Sequence, residues 1–412
     1  MRKNLLIYAH YYYPDVASTG QILKELAEGM KDHFNITVIS VVPSYGGIIE
    51  DEYKKHSYYK EIINGINVIR VKVPEFTKSN KVSRIKNISM YFIRAILATF
   101  TVGKMDYIYT VSQPPILGGM LGVMGKWIKH GRLIYNIQDF NPEQIMAVGY
   151  SKNKLILNAA MMVDKFSCRR ANKVIVVGRD MQETLRNRFK NKKVPKNVFI
   201  NNWIDEKEIY PLPDNNEKVI EFKKDYGLLN KIVIMYSGNI GLYYDLENIV
   251  KVIGRFNSRD DVVFAFIGEG SVKQDIENYV IENKLDNVKF IPYQEKADLI
   301  YSLNAGDIHW VVNAKGIKGV SVPSKLYGVM ATGKTVLGVL EKGSEARLLV
   351  EETGCGVCCE PEDYEGIEKL IREIIENRGG IKAKGAAGRE FLENYLKKDI
   401  SIRKYVDVIW SL

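Results

Sequence analysis

The sequence has few cysteines and histidines, which limits its metal and disulfide chemistry. Only 4 cysteines and 5 histidines occur among 412 residues. Cys355, Cys358 and Cys359 cluster in GCGVCCE, but no second pair or neighbouring histidine completes a set of four zinc ligands. No Asp-x-Asp metal motif is present either. We therefore expect no metal site and no cofactor, and we interpret the cysteines as structural residues of a cytoplasmic protein.

Long hydrophobic segments are also missing. The N-terminal MRKNLLIYAHYYY has too few apolar residues for a signal peptide and predicts a first strand instead. The longest uncharged run, Tyr107 to Gly125, is interrupted by Gln113, Pro114 and Pro115, which argues against a transmembrane helix. No internal repeat or low-complexity tract occurs.

Positive charge is concentrated in the first half of the chain. Residues 1–200 carry 31 Lys and Arg but only 15 Asp and Glu, a formal charge of +16, whereas the remainder carries −6. This asymmetry predicts that the first half faces an anionic membrane surface or a phosphorylated substrate. Because no nucleic-acid-binding motif accompanies the charge, we expect no nucleic acid partner.

The chain is too long for one ordinary hydrophobic core, so we expect two domains. Short Val- and Ile-rich runs alternate with helical segments throughout, which predicts two α/β domains with doubly wound parallel sheets. The predicted strands are LLIYA, NITVISVV, NVIRVKV, YIYTV, RLIYNI, KVIVV and NVFINN, then KIVIMYS, VVFAFIG, NVKFIP, DIHWVV, TVLGVL and CGVCC. The polar, proline-containing segment 201–221 is the predicted linker.

The run PSKLYGVMATGKTVLGV has the spacing of a phosphate-binding P-loop. Gly328, Gly333, Lys334 and Thr335 match that motif. However, the apolar spacing before Gly333 predicts a helix and TVLGVL predicts a strand, the reverse of P-loop order. A nucleotide hydrolase is therefore disfavoured, and a helix that starts at Pro-Ser-Lys remains.

Loops rich in small residues follow the first strand of each predicted domain, where α/β sheets bind ligands. Thr19 and Gly20 end the loop after LLIYA, and we expect a helix to start at Gly20. Gly238, Asn239 and Gly241 follow KIVIMYS. Each loop is either an ordinary helix start or a backbone cradle for phosphate or sugar.

Five segments, in this order and spacing, resemble family 4 of the retaining glycosyltransferases, which has the GT-B fold. They are YYYPDVASTGQ, SGNIGLYYDLE, FIGEG, PSKLYGVMATGKTVLGV and GSEARLLVEETGCGV. The resemblance covers essentially the whole chain and points to the bacterial branch that builds O-antigen, capsule or exopolysaccharide. It implies two Rossmann-like domains that face a central cleft. An acceptor-binding domain would span 1–205, with a returning helix at about 392–412, and a nucleotide-sugar-binding domain would span 206–391.

The resemblance assigns the loop at Gly238, Asn239 and Gly241 to the diphosphate of a UDP-sugar donor. Many family members carry an Arg and a Lys there, which this chain lacks. We expect Lys325, with Ser324 beside it, to supply the cation that stabilises the leaving diphosphate. A solvated lysine in a first helical turn is the alternative.

A second departure concerns the paired glutamates of the family, of which the second binds the ribose. The aligned positions are Val320 and Gly328, whose side chains accept no hydrogen bond. We expect Glu345 to replace this function, with the small Gly343 and Ser344 allowing close approach of the ligand. An ordinary surface glutamate is the alternative.

On the acceptor side, Asp139 follows the predicted strand RLIYNI, where similar enzymes place an acidic residue or a histidine. It is a candidate to orient or deprotonate the acceptor hydroxyl, although it could instead cap a helix ahead of Pro142. His10 and Ser112 also follow strands and are candidates to line the site. The resemblance implies front-face attack, which needs no nucleophile and acid pair of carboxylates.

The segment Lys78 to Lys104 is basic at its start and apolar later. Ile85, Ile88, Phe92 and Leu97 could share one helical face. This composition is typical of a membrane-surface helix and suits a lipid-linked acceptor, but a core helix with a basic flank also explains it.

The sequence therefore predicts a cytoplasmic hexosyltransferase that is peripherally associated with the inner face of the cell membrane. It would transfer a sugar, which we expect to be an N-acetylated hexose, from a UDP-sugar to a lipid-linked or nascent saccharide. Two alternatives stay open. A non-hydrolysing UDP-sugar epimerase has the same fold but needs more acidic and histidine residues, and an inactive sugar-nucleotide-binding scaffold would explain the missing glutamates.

Overall fold

The computed structural model describes residues 2–15, 18–77, 80–147, 149, 153–190 and 192–412, which form two compact units. The first unit comprises Met1–Val177, Met181–Asn201 and Asp399–Leu412, and the second comprises Gly178–Asp180 and Asn202–Lys398. The second unit thus begins slightly before the boundary at 206 that the sequence suggested. The chain returns to the first unit later than the suggested residue 392.

The first unit is built on an eight-stranded sheet. Its strands are β1 (Lys3–Tyr8), β2 (Phe34–Val41), β3 (Tyr58–Ile63), β4 (Ile66–Val71), β5 (Tyr107–Val111), β6 (Arg132–Ile137), β7 (Lys173–Val176) and β8 (Asn197–Phe199). They lie in the order β3-β4-β2-β1-β5-β6-β7-β8, and only β3 is antiparallel to its neighbour. The seven strands predicted for this half are confirmed.

The strand β3 was not predicted, and its position explains why. It lies at the edge of the sheet, and its residues alternate between exposed and half-buried, so it lacks the buried Val and Ile run that marks a central strand. The charged pair Lys60 and Glu61 in its middle further hides the pattern.

The second unit is built on a six-stranded, fully parallel sheet. Its strands are β9 (Ile232–Ser237), β10 (Val262–Ile267), β11 (Val288–Ile291), β12 (Ile308–Val312), β13 (Thr335–Val339) and β14 (Gly356–Cys359). The order is β11-β10-β9-β12-β13-β14. All six predicted strands are confirmed, and the central ones are buried along almost their whole length, which is why their apolar runs were readable.

Helices cover both faces of each sheet. In the first half of the chain they are α1 (Ser18–Met30), α2 (Lys81–Thr101), α3 (Leu117–Lys129), α4 (Glu143–Ala147), α5 (Lys154–Arg170) and α6 (Arg179–Arg188). In the second half they are α7 (Glu217–Asp225), α8 (Leu246–Ile253), α9 (Lys273–Glu282), α10 (Leu299–Ala305), α11 (Lys325–Ala331), α12 (Glu345–Thr353), α13 (Tyr364–Glu376), α14 (Ile381–Phe391) and α15 (Lys398–Trp410). Within the described ranges, no helix has both the length and the apolar character to cross a membrane.

Each sheet reverses its strand order once, and the reversal marks where ligands are expected. In the first unit the order changes direction between β1 and β5, and in the second between β9 and β12. Parallel sheets bind ligands at such a switch point, beyond the carboxyl ends of the strands. The loops after β1, β5, β6, β9 and β13 therefore deserve comparison.

The P-loop spacing is confirmed to have the wrong structural order. Gly328 lies inside α11, and Lys334 directly precedes β13, so no glycine loop leads from a strand into a helix there. Cys358 and Cys359 belong to β14, the edge strand predicted for the cysteine cluster, and all four cysteines are free.

Candidate active site

In the loop after β9, Gly238 and Asn239 are exposed, whereas Gly241 is buried. Gly238 has φ +143, a conformation that residues with a Cβ rarely adopt. Its N–H donates to the carbonyl of Ile267 at 2.9 Å. Among the residues that the structure describes, however, the N–H groups of Asn239 and Gly241 have no hydrogen-bond partner. Because Gly238 and Asn239 are exposed, an anion can approach this loop.

Lys325, the first residue of α11, places its ammonium beside this loop. A Cβ built on Gly238 would lie 3.7 Å from Lys325 Nζ. The ammonium donates to the hydroxyl of Tyr236 at 2.6 Å and lies 4.0 and 3.9 Å from the ring centroids of Tyr236 and Tyr244. Burial lowers the pKa of Lys325 to about 7. The structure thus combines one aromatic-lined cation with two unpartnered N–H groups.

Tyr236 and Tyr244 are site residues that the sequence analysis missed. The Tyr236 hydroxyl accepts from Lys325 and donates to the carbonyl of Asn239 at 2.6 Å, so it joins the cation to the loop. The available signal was the aromatic residue two positions before Gly238, at the end of β9. Aromatic faces attract a nearby ammonium without neutralising its charge.

The loop after β13 contains Gly343, Ser344 and Glu345 at the start of α12. Gly343 has φ +77, and a Cβ there would lie 3.0 Å from Lys318 Nζ. The Ser344 hydroxyl is buried and has no hydrogen-bond partner among the described residues. A buried polar group without a partner is costly, so a ligand that supplies one would fit here.

Glu345 is not a surface glutamate. It is 1% exposed, and its Oε2 accepts from the backbone N–H of Arg179 at 2.8 Å and from the Arg179 Nε at 2.9 Å. The same guanidinium pairs with Glu352 at 2.7 Å. Burial raises the pKa of Glu345 despite the guanidinium. One carboxylate oxygen is therefore used inside the second unit, and the predicted contact with ribose stays a prediction for the other.

The two positions of the missing glutamates have no polar side chain in the structure. Val320 is buried, and Gly328 lies within α11, where a Cβ would be 3.4 Å from Ile204. Ser324 precedes α11, is exposed, and makes no side-chain capping bond. It lies next to Lys325 and stays a candidate contact.

In the first unit, the loop after β1 differs from its prediction. The helix α1 begins at Ser18 rather than Gly20, so Thr19 and Gly20 belong to its first turn and are buried. A Cβ on Gly20 would lie 3.0 Å from the carbonyl oxygen of Tyr11. Glycine is required here by close backbone packing rather than by an exposed cradle.

Asp139 lies in the loop after β6 and is partly exposed. The Ser112 hydroxyl accepts from the N–H groups of Gln138 at 3.0 Å and Asp139 at 3.2 Å. Gln144 donates to the Asp139 carboxylate at 3.4 Å. Ser112 is buried and holds the backbone of this loop through these two hydrogen bonds, whereas the carboxylate of Asp139 is the group that a ligand can reach.

The buried side chain of Arg188 also holds this loop in place. Arg188 donates to the carbonyl of Asn141 at 3.0 Å and to the Glu143 carboxylate at 2.6 Å, and it pairs with the buried Asp164. His10, by contrast, stacks against neighbouring aromatic rings in the core, and burial lowers its pKa to about 4. A neutral, packed His10 suits a structural position.

The predicted residues thus fall into three groups. Gly238, Asn239 and Gly241 form the loop after β9, and Lys325 places its ammonium beside Gly238 in the second unit. Gly343, Ser344 and Glu345 follow β13, two strands away in the same sheet, and Thr19, Gly20 and Asp139 belong to the first unit. In the described part of the chain, no group of three or more His, Cys, Asp or Glu could hold a metal ion. The expected independence from metals and cofactors stays a prediction.

Comparisons with known proteins agree on the class. The family model for glycosyl transferases group 1 matches residues 218–391. The chain is 28% identical to the probable glycosyltransferase WbjE of Pseudomonas aeruginosa, over 83% of this chain and 84% of the relative. It is 24% identical to the putative colanic acid biosynthesis glycosyl transferase WcaI of Escherichia coli K12, over 98% and 99%. The structure of Anabaena HepE in complex with UDP and glucose superimposes with a TM-score of 0.74 at 14% identity, over 100% of both chains.

These matches, together with the two parallel-sheet units, define the chain as a glycosyltransferase with the GT-B fold. The predicted resemblance is confirmed to this extent: residues 218–391 match the glycosyl transferases group 1 domain, and both relatives are named as glycosyltransferases.

Proposed function

We propose that this enzyme transfers a hexose from a UDP-sugar to a lipid-linked or nascent saccharide of a bacterial surface polysaccharide, with retention of configuration. WcaI is named for colanic acid biosynthesis, and HepE was solved with UDP and with UDP-glucose. Both relatives support the proposal. The family match favours a transferase over an epimerase or an inactive scaffold.

The contact between Lys325 and the loop after β9 carries the proposal. When a glycosyl bond breaks, negative charge grows on the departing diphosphate, and preorganised donors placed at that charge lower the barrier. The N–H groups of Asn239 and Gly241 and the ammonium of Lys325 offer three such donors within and beside this loop. Tyr236 holds the ammonium and the loop together, so little reorganisation is needed.

The remaining predicted residues take complementary roles in this proposal. Gly343 and Ser344 bind hydroxyl or phosphate oxygens of the donor, with Ser344 supplying its unpartnered hydroxyl. Glu345 positions the start of α12 and offers one oxygen to the donor. On the acceptor side, Asp139 orients the hydroxyl that attacks the anomeric carbon as UDP leaves. The proton of that hydroxyl passes to a departing phosphate oxygen, which balances the reaction without a metal or a cofactor.

The outer face of α2 supports attachment to a membrane. Its inner face buries Asn87, Tyr91 and Ala95. Its outer face exposes large apolar side chains at helical spacing, namely Val82, Ile85, Ile93, Leu97 and Phe100. Of the four residues predicted to share a face, Ile85 and Leu97 are exposed, whereas Ile88 and Phe92 are half-buried; Lys78, which begins the predicted segment, lies outside the described residues.

Helix α2 therefore both packs on the core and presents an apolar strip to the surroundings. Lys81, Arg84 and Lys86 are exposed at its start, which matches the combination of apolar and basic residues of membrane-surface helices. We propose that the enzyme acts at the inner, cytoplasmic face of the cell membrane, where a lipid-linked acceptor would be found.

A two-stage assay tests the proposal. Thermal shift with UDP, UDP-sugars, GDP and ATP identifies the donor class, since a ligand at 100 times its Kd stabilises the protein by about 2.7 kcal/mol. Release of UDP from UDP-sugars is then measured with and without bacterial membranes that contain lipid-linked saccharides. Membrane-dependent release supports transfer. Conversion of the sugar without acceptor would indicate an epimerase, and binding without turnover would indicate a scaffold.

A further inference from the structure

A strongly basic cavity lies in the first unit, away from the loops discussed above. Its volume is about 490 Å³. Arg169, at the end of α5, and Asn172, just before β7, form one side. Lys192, Lys193 and Lys196, in the segment that leads into β8, form the other. All of these residues precede strands β7 and β8, so the cavity lies at the amino-terminal ends of the strands. Asp139 follows β6 and lies at the opposite, carboxyl-terminal ends.

The cations of this cavity are not balanced by carboxylates. Within the described residues, none of Arg169, Lys192, Lys193 and Lys196 forms an ion pair with an acidic side chain. The Arg169 guanidinium lies over the ring of Phe189, 5.2 Å from its centroid, which leaves the charge in place. Four cations that line one cavity without an ion-paired carboxylate create a local positive potential that favours binding of an anion.

An aromatic surface adjoins the cavity. Asn172 accepts from Lys126 Nζ at 2.8 Å, and Lys126 also donates to the carbonyl of Arg170 at 2.8 Å. The Arg170 guanidinium covers Phe166, which in turn contacts Trp127 edge to face. Trp127 is 47% exposed although it is the largest side chain type. Exposed tryptophan beside basic residues is typical of proteins that sit at a membrane interface.

The apolar strip of α2 extends to the same end of the strands as the cavity. Helix α3 contacts both α2 and α5, so the three helices form one layer. Each helix ends just before the next parallel strand begins, so all three end at the amino-terminal ends of the strands, where the cavity lies. Leu97 and Phe100, near the end of α2, are 52% and 63% exposed. Positive charge and exposed apolar side chains therefore both occur at the end of this layer where the three helices finish.

From this juxtaposition we infer that the cavity is a headgroup site for an anionic phospholipid. The phosphate enters between Arg169 and the three lysines, while Trp127, Leu97 and Phe100 meet the acyl and interfacial region. The inference rests on the proposed membrane attachment and adds a discrete binding site to it. This site lies at the amino-terminal ends of the strands, away from the loop that contains Asp139. Phospholipid is preferred to a soluble phosphate because the apolar side chains would otherwise have no ligand to cover them.

Vesicle binding by the full-length protein tests the inference. Flotation is measured with vesicles of phosphatidylcholine alone and with vesicles that contain about 30% phosphatidylglycerol, whose negative headgroups give a strong surface charge. The test variant is the triple Lys192→Ala, Lys193→Ala, Lys196→Ala. The control triple, Lys55→Ala, Lys60→Ala, Lys404→Ala, removes the same charge from exposed positions elsewhere in the first unit.

Each lysine next to an anionic surface raises binding about fivefold, so loss of three lowers the partition coefficient by roughly 100-fold. The control triple should lower it by less than about threefold, because its charges are distant from the surface and screened. Replacing the three lysines by arginine should restore binding. Equal losses in both triples would overturn the site, since they would indicate diffuse attraction only.

A soluble probe separates the two sources of phosphate. Calorimetric titration with glycerol 3-phosphate should show no binding at millimolar concentration if the apolar contacts are needed. Binding of glycerol 3-phosphate that the lysine triple abolishes, without any change in flotation, would overturn the lipid assignment. Thermal shift by UDP is measured on the same preparations: a shift retained in every variant keeps the proposed function intact, whichever way the vesicle result falls.

Discussion

A glycine follows the first strand of each sheet, but the two glycines have opposite surroundings. After β1, Gly20 lies in the first turn of α1, buried against the carbonyl of Tyr11. After β9, Gly238 and Asn239 are exposed, and two N–H groups of the loop have no partner among the described residues. Gly20 is therefore enclosed by packing, whereas the loop after β9 is open to a ligand.

This difference shows that glycine near a strand end does not by itself define a phosphate site. Gly20 serves close contact between two backbone segments, whereas Gly238 serves a φ value of +143 beside a lysine. Both segments have a cation nearby, but in different settings. Arg70 donates to the carbonyl of Tyr13 after β1, whereas Lys325 Nζ lies 3.7 Å from the position of a Cβ on Gly238 after β9. Four predictions test whether the open loop, and not the closed one, binds the donor.

The largest effect is expected for Lys325→Met. Loss of a charge-assisted contact to phosphate costs about 1.5–3 kcal/mol, so UDP should bind about 100-fold more weakly. Calorimetric titration measures this change. Lys334→Met is a matched control, because Lys334 is also partly buried and its pKa is also lowered chiefly by burial. Lys334 precedes β13, so it lies at the opposite end of the strands from the loop after β9. Similar UDP affinity in the wild type and Lys325→Met would exclude Lys325 from the site.

The paired variants Gly238→Ala and Gly20→Ala address the comparison itself. Alanine at φ +143 is strained by about 2 kcal/mol, so the loop should change shape and UDP affinity should fall roughly 30-fold. In Gly20→Ala the new Cβ would crowd the Tyr11 carbonyl at 3.0 Å, which should lower the free energy of unfolding by about 1–2 kcal/mol without altering UDP affinity. Urea unfolding and calorimetry read the two effects separately. The reverse pattern would show that the first loop binds the donor.

A pH series should change donor affinity in one direction. Because burial lowers the pKa of Lys325 to about 7, the free protein carries this charge below pH 7 and loses it above. Binding a diphosphate raises that pKa, so above pH 7 a proton must be taken up on binding and the Kd should increase by up to tenfold per pH unit. UDP-glucose is the suitable probe, since its diphosphate does not titrate there. An affinity that is constant from pH 6 to 9 would contradict contact with Lys325.

The smallest effect is expected for Tyr236→Phe. The variant keeps the aromatic face under the ammonium but removes the hydroxyl that joins Lys325 to the Asn239 carbonyl. Loss of one hydrogen bond of this kind costs about 1 kcal/mol, so UDP affinity should fall about fivefold. Tyr279→Phe, in α9, is the control for loss of a tyrosine hydroxyl in the same unit. A loss as large as that of Lys325→Met would mean that the hydroxyl contacts the ligand directly.

Much of the fold was predictable from periodicity. Central strands such as β9 and β12 are buried on both faces, so they appear in the sequence as unbroken apolar runs bounded by polar residues. The strand β3 escaped because an edge strand has no such constraint. The P-loop spacing was correctly rejected, because the helical pattern before Gly333 and the strand pattern after it follow from local apolar spacing.

The candidate site was predictable only where backbone conformation determined it. Gly238 and Gly343 were identified, and both have positive φ values that favour glycine. Partners brought together by the tertiary fold were not foreseeable, as with the Arg179 contact of Glu345 and the tyrosines around Lys325. The helix start at Gly20 was misplaced because a glycine needed for close packing has the same local appearance as one needed for a loop.

A crystal structure of the protein with UDP tests the central claim most directly. The account predicts diphosphate oxygens within hydrogen-bond distance of the N–H groups of Asn239 and Gly241, with Lys325 Nζ on the same phosphate. A diphosphate bound at the loop after β1, or a loop after β9 left empty at saturating UDP, would contradict it.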